Sequence, residues 1–194
     1  IVIDCTNVLK CLFCCFELEK GLMKQIETER LIMRELELSD AGGLFELDSN
    51  PEVLKYIGVD AVKTIEESGD VIRMLQRQYA ENGIGRWAVI EKSTGKFMGW
   101  SGLKLYREPV NNQTNIYELG YRFIPRYWGK GFATESARAW VNYAFEELKI
   151  DKLFAVTDLE HDSSKNVLHK VGFKDVEVVN YHGEDVNWLE VIKD

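Results

Sequence analysis

The sequence predicts an α/β (α+β) domain in which a mixed sheet of about seven strands is covered by helices. The predicted elements follow the order β-α-α-α-β-β-β-α-β-α-β-β, which implies a mixed sheet with helical layers in one domain. With 194 residues and 45% hydrophobic content, the chain can bury one good core. Aromatic residues are plentiful and only three prolines occur, which argues against disorder.

One strand and three helices are predicted for the first part of the chain. Residues 27–36 alternate apolar and polar side chains, although imperfectly, and are predicted as the first strand. Capping residues predict a short helix over residues 39–48, and a proline begins another over residues 51–58. A capping-box pattern opens a third, amphipathic helix over residues 64–82.

The rest of the chain is predicted to hold six strands and two helices. Ser93-Thr94-Gly95 marks a hairpin turn, and a second hairpin closes the chain around His182-Gly183-Glu184. Amphipathic helices are predicted over residues 132–148 and 163–171, and the second ends at Gly172. The strands are predicted over residues 86–91, 96–105, 116–123, 152–158, 173–181 and 185–192.

Composition limits the partners and the compartment. The net charge of −8 disfavours nonspecific nucleic-acid binding and is compatible with a cationic substrate. No apolar run approaches the about 20 residues that span a bilayer, so no membrane association is predicted. All four cysteines lie in the first fifteen residues, so the remaining chain needs no disulfide, which fits a reducing cytoplasm.

The N-terminal residues 1–22 are predicted to be an extension of a domain that covers residues 23–194. The first methionine, Met23, directly precedes the first predicted strand. Cys11-x-x-Cys14 has no second ligand pair at zinc-finger spacing, so no metal is predicted and these cysteines are interpreted as small hydrophobic residues. Apolar residues from Val8 to Leu18 recur at helical spacing and predict a short helix.

The stretch from Arg126 to Thr134 predicts an anion site shaped for a diphosphate. Gly129 and Gly131 let the backbone turn tightly and bring bare N–H groups close to a ligand. The helix that follows directs its unpaired N–H groups and its positive dipole end into the same turn. Arg126 and Lys130 add positive charge.

Two common nucleotide sites do not fit this stretch. Counting back from Gly129-Lys130, the position that must be glycine in a Walker A loop is Ile124. The dinucleotide fingerprint needs a third glycine where Thr134 stands. A plain strand-to-helix connection is the remaining structural interpretation of Gly-x-Gly alone.

The pattern Arg-x-x-Gly-x-Gly with its flanking elements resembles a known family. IYELGYRFIPRYWGKGFATESARAWVNYAF resembles motif A of the GNAT acyltransferases, which bind the pyrophosphate of coenzyme A. HDSSKNVLHKVGF resembles the following helix of that fold, which ends in Gly-Phe. ETERLIMRELELSDA resembles the start of the Rim-type branch, which includes the RimJ/RimL acetyltransferases of ribosomal-protein N-termini.

The resemblance implies the GNAT fold and acetyl-CoA as the donor. It implies a mostly antiparallel sheet that is splayed between its fourth and fifth strands, where the pantetheine arm runs alongside the fourth strand. A backbone N–H from about Leu119 to Tyr121 would steady the oxyanion that develops on the acetyl carbonyl. The cofactor-binding residues implied are Tyr121, Phe123, Ile124, Arg126, Trp128, Gly129, Lys130, Gly131, Phe132, Ala133, Thr134 and His161.

Two catalytic residues follow from the resemblance. Glu118 is the candidate base that takes the amine proton. The alternative is a purely structural role, as an outward-facing strand residue in a salt bridge. Many members donate a proton to the leaving thiolate from a tyrosine, but the matching position is Leu168. Ser164 aligns with a serine near the sulfur, or it simply caps a helix. His161 stands where the family often has asparagine.

The function implied is an acetyl-CoA-dependent N-acetyltransferase that uses a ternary complex, with a protein N-terminal α-amine as acceptor. Acetylation of a small amine, such as a polyamine, amino sugar or antibiotic, remains an alternative. A non-catalytic module that senses acetyl-CoA is a second alternative, because the tyrosine is missing and the asparagine is replaced. Dimers are common among relatives, and the final hairpin offers exposed strand surface for one.

Overall fold

The computed structural model of the protein describes residues 25–193, so the four cysteines and the helix predicted from Val8 lie outside the described residues. Five α-helices are described: α1 (Ala41–Asp48), α2 (Pro51–Leu54), α3 (Ile65–Asn82), α4 (Phe132–Glu146) and α5 (Asp162–Lys170). The strands are β1 (Gln25–Glu27), β2 (Leu31–Arg34), β3 (Arg86–Glu91), β4 (Phe97–Tyr106), β5 (Ile116–Phe123), β6 (Lys152–Asp158), β7 (Lys174–Tyr181) and β8 (Glu184–Ile192).

One sheet contains all eight strands, in the spatial order β1-β2-β3-β4-β5-β6-β8-β7. Only the β5–β6 pair is parallel among the described strands, so the predicted mixed, mostly antiparallel sheet is confirmed. The predicted count of about seven strands is one short. The single strand predicted over residues 27–36 is a tight hairpin of two short strands, because Thr28 and Leu31 exchange hydrogen bonds and turn the chain.

Local capping sets the starts of α2 and α3 and the end of α3 as the sequence indicated. The Asn50 side chain accepts from the Glu52 N–H, so α2 begins at the proline. The Thr64 side chain accepts from the Glu67 N–H at the start of α3, and Gly83 ends that helix with φ of +68°. Residues 55–58 do not continue α2, which is only one turn long.

The splayed sheet predicted from the family resemblance lies between β5 and β6. These parallel strands pair only at Tyr117–Leu153 and Glu118–Phe154. Beyond Glu118 the two strands separate, and β6 continues its pairing with β8 alone. The edge of β5 from Leu119 to Phe123 therefore has no strand partner on that side.

The two faces of the sheet carry different helices. Trp87 of β3 packs its ring edge-on against Trp140 of α4, with 5.0 Å between centroids, so α4 covers one face. Arg122 of β5 forms an ion pair with Asp48, so α1 covers the other face. Because side chains alternate along a strand, successive residues of β4, and likewise of β5, point to opposite faces of the sheet. No helix among residues 25–193 is both long enough and apolar enough to cross a membrane.

Candidate active site

The glycine turn between β5 and α4 has the backbone conformation that the sequence indicated. Gly129 and Gly131 have φ of +70° and +83°, in the left-handed region where other residues are strained. A Cβ added at Gly129 would meet no atom within 4 Å, so the conformation rather than crowding favours glycine there. Gly131 is the N-cap of α4.

The turn presents a row of free backbone donors. Within the described part of the chain, no protein acceptor receives the N–H groups of residues 129–134. The first N–H groups of α4 point the same way, because a helix cannot satisfy them internally. A cluster of free donors at the positive end of a helix dipole is suited to a phosphate group.

Arg30, which the sequence alone did not connect to this turn, braces it from outside. Its guanidinium donates to Glu135 in the first turn of α4 (Nε to Oε2, 2.7 Å) and to the Lys130 carbonyl (3.0 Å). It also lies 4.3 Å from the centre of the Phe132 ring. Thr28 and the Arg30 N–H donate to the other Glu135 oxygen. The first hairpin therefore holds the glycine turn in position.

Not every predicted cofactor-binding residue faces the turn. Arg126 forms an ion pair with Glu46 of α1. Ile124 is buried in the core, at 2% exposure. Trp128 is largely exposed, and its Nε1 donates to the Phe123 carbonyl at 2.6 Å. Lys130 is exposed, and the contact its backbone makes is with Arg30.

A cleft of about 760 Å³ runs from the glycine turn into the splay between β5 and β6. Its size is in the range of small-molecule sites. Most of the predicted cofactor-binding residues line it, together with one predicted catalytic residue: Tyr121, Phe123, Trp128, Gly129, Gly131, Phe132, Ala133, Thr134, His161 and Ser164. Tyr56 and Lys55 from the loop after α2 form the opposite wall.

Two hydroxyl groups meet where the splay opens. The Tyr121 hydroxyl lies 3.0 Å from the Ser164 carbonyl oxygen and 3.1 Å from Ser164 Oγ. Tyrosine carries one proton, so it donates to the carbonyl and accepts from Ser164 Oγ. Burial raises the pKa of Tyr121 well above its usual value, so the phenol stays protonated at neutral pH. Leu168, where many relatives carry a tyrosine, is buried at 1% exposure.

His161 lies at the mouth of the cleft rather than in a free loop. Its imidazole stacks on the Tyr56 ring, with centroids 4.4 Å apart and planes inclined by 17°. Burial lowers the pKa of His161, and the nearby Asp158 carboxylate opposes that change only partly. A neutral imidazole is therefore expected at pH 7.

Glu118 lies on the α1 face of the sheet, in a polar cluster that no sequence motif indicated. The Tyr106 hydroxyl donates to Glu118 Oε2 at 3.0 Å and accepts from Lys104 Nζ at 2.7 Å. It lies 2.5 Å from the Tyr181 hydroxyl, which must donate because the Tyr106 proton is already used. The cross-strand pairing of Lys104 with Glu118 is the only signal that register prediction would have offered.

This arrangement brings together an anion turn, a cleft along an unpaired strand edge, and a carboxylate beyond it. Glu118 and Tyr121 are on opposite faces of β5, and Glu118 lies three residues before Tyr121, where the cleft lining on β5 begins. Such a site can hold a long phosphorylated ligand and offer a proton acceptor at its far end.

Comparison with known proteins gives consistent results. The family model of the Acetyltransferase (GNAT) domain matches residues 30–174. The "Uncharacterized N-acetyltransferase p20" of Bacillus licheniformis is 30% identical over 152 residues, which cover 78% of this chain and 83% of that protein. The "Spermidine N(1)-acetyltransferase" of Escherichia coli K12 is 28% identical over 141 residues, covering 73% of this chain and 71% of that protein. A GNAT-family acetyltransferase structure from Bacillus anthracis superposes with a TM-score of 0.72 at 26% identity, covering 87% of this chain and 98% of that one.

Proposed function

Because the chain belongs to the GNAT acetyltransferase family, we propose that it transfers the acetyl group of acetyl-CoA to a primary amine by direct attack in a ternary complex. The chain is an acyltransferase of GNAT type. The observation that carries the mechanism is the strand edge of β5 that ends at the glycine turn. One cleft joins a donor-rich anion site to the segment of β5 from Tyr121 to Phe123, beyond its pairing with β6.

The residues present fit coenzyme A. The free N–H groups of residues 129–134 would hold the pyrophosphate, and the unpaired edge of β5 would pair with the amides of the pantetheine arm. Apolar walls from Phe123 and Val167 suit the alkyl parts of that arm. Acetyl-CoA supplies the activated thioester. The chain supplies position, proton transfer and charge stabilisation.

Glu118 would accept the proton of the attacking amine, directly or through a water molecule. An amine attacks only when it is neutral, so a proton acceptor beside it lowers the barrier. The Tyr106 hydrogen bond fixes one carboxylate oxygen and leaves the other free to face the amine. This geometry supports the base role over that of a surface ion pair, because no salt bridge within 4.0 Å engages Glu118 in the described residues.

The free backbone N–H groups between Leu119 and Tyr121 would stabilise the oxyanion on the acetyl carbonyl. Pairing with β4 already fixes the strand that carries these N–H groups, so they need no reorganisation as negative charge develops. Strand splaying is what exposes them to the cleft.

Ser164 would stabilise the departing thiolate of coenzyme A, and Tyr121 would hold it in position. Both hydroxyls lie at the splay, and they are hydrogen-bonded to each other. Burial raises the pKa of Tyr121, so the proton stays on the phenol and bonds the Ser164 carbonyl, while the Ser164 hydroxyl would turn from Tyr121 to the sulfur. Ser164 thus has a hydroxyl partner in addition to its location at the start of α5.

For the acceptor, we propose a protein N-terminal α-amine of the kind used by the Rim-type branch. The resemblance of residues 27–41 to the opening segment of that branch supports it. The printed name of one relative specifies spermidine, so a small amine is the alternative acceptor class.

The test is release of the free thiol of coenzyme A from acetyl-CoA in the presence of single amines. Short peptides with free α-amines are compared with the same peptides blocked at the N-terminus, and with spermidine and an amino sugar. Rapid release with free peptides alone supports the proposed acceptor. Preference for spermidine or the sugar would replace that acceptor with the small-amine class, and no release with any amine would contradict the transfer reaction.

A further inference from the structure

The α1 face of the sheet holds an arginine whose charge has no partner among the residues that the structure describes. Arg86 of β3 is partly buried, and its guanidinium carbon lies 4.8 Å from the centre of the Trp100 ring. Among residues 25–193, its side chain makes no hydrogen bond and no ion pair. Stacking of a guanidinium on an indole leaves its in-plane N–H groups available at the edge.

A second arginine beside the same indole is the internal comparison. The Arg122 guanidinium carbon lies 5.3 Å from the Trp100 ring centre and is paired with the Asp48 carboxylate at 2.5 Å. The fold therefore neutralises one of these two charges with its own carboxylate and leaves the other without one. A partly buried, unpaired guanidinium is costly unless something else satisfies its donors.

Two glycines make room for this arrangement. Arg86 is paired across the sheet with Gly102, which is paired in turn with Gly120, so all three lie in one row on the α1 face. A Cβ at Gly120 would lie 3.2 Å from the Trp100 ring, and a Cβ at Gly102 would collide with the Gly85 carbonyl, so neither position has space for a side chain. Lys104 and Glu118 follow this row on the same face.

Lys104 places a second positive charge between Arg86 and Glu118. It is the cross-strand neighbour of Glu118, and its ammonium is two hydrogen bonds from that carboxylate, through the Tyr106 hydroxyl. Burial lowers the pKa of Lys104, the Glu118 charge opposes this, and the Arg86 charge lowers it further. Burial raises the pKa of Tyr181, and the Arg86 charge opposes that change, so Arg86 lies close to this cluster.

The local charge is therefore opposite to the charge of the whole chain. Asp48 neutralises Arg122, so the cluster beside Trp100 contains two other cations, Arg86 and Lys104, and one other carboxylate, Glu118. A polyamine would bring further positive charges towards these two cations, at an electrostatic cost. A carboxylate on the acceptor would satisfy the free guanidinium in a bidentate geometry.

We propose that the acceptor amine carries a carboxylate, which Arg86 binds against Trp100 with support from Lys104 while the amine faces Glu118. This inference rests on the proposed acetyl transfer and specifies its substrate class. The carboxylate has two sources with the same chemistry: the acidic side chain of a peptide whose first residues are Asp or Glu, or the free α-carboxylate of an amino acid.

The experiment compares acceptors of equal shape and different charge in the thiol-release assay. One arm uses a peptide that begins with aspartate against the same peptide that begins with asparagine. The other arm uses a free amino acid against its amide. We expect kcat/KM to be about tenfold or more higher for the carboxylate member of at least one pair, since charge-assisted hydrogen bonds exceed neutral ones. Equal rates for both members of both pairs would overturn the inference while leaving the acetyl transfer intact.

Variants assign the preference to Arg86. Arg86→Gln should remove the preference by lowering kcat/KM for the carboxylate acceptor about tenfold to hundredfold, with about twofold change for the amide. Arg86→Lys should restore part of it, because the charge returns without the planar fork. Arg107→Gln, at an exposed arginine just beyond β4, should leave the preference unchanged.

Equal losses for both members in Arg86→Gln, at an unchanged melting temperature, would show a structural role and reject the site. If Arg86→Gln does not fold, two other results decide whether the site exists. These are the preference of the unaltered chain for the carboxylate acceptor over its amide, and the reduction of that preference in Lys104→Gln. A preference of the unaltered chain for the amides or for spermidine would also overturn the proposal. Absence of thiol release with every acceptor would instead refute the transfer reaction itself.

Discussion

Arg30 and Glu135 lie 105 positions apart in sequence and join the first hairpin to the helix behind the glycine turn (Nη2 to Oε2, 2.6 Å). Glu135 also accepts from Thr28 and from the Arg30 N–H, so four donors converge on one carboxylate. The same guanidinium holds the Lys130 carbonyl. Loop geometry at the anion site thus depends on the turn between β1 and β2, which is distant in sequence.

The Glu135 cluster should make stability depend on pH. Burial raises the pKa of Glu135, but the donors from Thr28 and Arg30 outweigh it and hold the pKa below the usual value. The stabilisation is therefore fully present above the unfolded-state pKa and is lost as pH falls through the lower folded-state pKa. In Glu135→Gln the free energy of unfolding should drop by about 1–2 kcal/mol at pH 7, and by less near pH 3. Urea unfolding at both pH values measures this, and an equal deficit at both would contradict it.

Gly129→Ala should weaken binding of coenzyme A without a larger loss of stability than a matched control. Gly129 and Gly95 have φ of +70° and +68°, and an added Cβ meets open space at both. Each alanine should cost about 1 kcal/mol of backbone strain. Only the first should raise the Kd for coenzyme A, by about tenfold, because only it shifts the free N–H groups. Calorimetric titration of both variants provides the comparison, and equal affinities would count against the anion site.

Tyr121→Phe and Ser164→Ala should each lower kcat by about tenfold, and the double variant should be little worse than either single one. The reason is that both hydroxyls act through one hydrogen-bonded pair at the splay. Ser93→Ala, at an exposed position in the β3–β4 turn and away from the cleft, is the control. Steady-state thiol release with saturating acetyl-CoA measures these rates. Additive losses would mean that the two hydroxyls act separately.

Glu118→Gln should lower kcat/KM by about 10²-fold or more, in the range that general-base catalysis contributes. Tyr106→Phe should have a smaller effect, since the carboxylate remains and loses only its orienting hydrogen bond, although Lys104 and Tyr181 also lose an acceptor. Thermal unfolding checks that both variants remain folded, and Glu81→Gln on the exposed surface of α3 serves as the charge control. A kcat/KM and pH–rate profile that Glu118→Gln leaves unchanged would reject the base role.

Asp40→Ala should destabilise the fold by about 3 kcal/mol, because it leaves the Arg34 charge without its partner. Asp40 is 6% exposed and accepts from both Arg34 terminal nitrogens, at 2.7 and 2.9 Å, and from the Glu37 N–H. Asp70→Ala removes the partner of Arg73 on the exposed face of α3 and should cost no more than about 0.5 kcal/mol. Denaturant unfolding compares the two variants, and similar losses of unfolding free energy would contradict the larger contribution expected of the buried ion pair.

Local patterns were sufficient for most of the secondary structure and for the anion turn. The Thr64 cap, the strand over residues 116–123 and the glycines at 129 and 131 all act through neighbours a few residues away, so the sequence contains their physical cause. The prediction of a single first strand was wrong, because it was based on the alternation of apolar residues alone. Its turn depends on the Thr28 side chain, which alternation of apolar residues does not reveal.

Other features depend on which distant segments the sheet brings together. Arg126 and Arg30 are both arginines near the turn, yet Arg126 pairs with Glu46 while Arg30 braces the loop, and neither partner is near in sequence. Glu118 could be named from a resemblance to a family. Its hydroxyl partner, the lysine beside that partner and the unpaired Arg86 follow only from strand register.

The sequence by itself determined the mixed sheet, the left-handed glycine turn and a likeness to GNAT enzymes, because short-range capping, alternation and glycine conformations are local in origin. The tertiary structure decided which cations are neutralised by carboxylates of the chain and which, such as Arg86, have no such partner among the described residues. Ion pairs form between side chains that become neighbours only when strands pair and helices cover the sheet. The charge around Trp100 is therefore a property of the folded chain, opposite in sign to its net charge of −8.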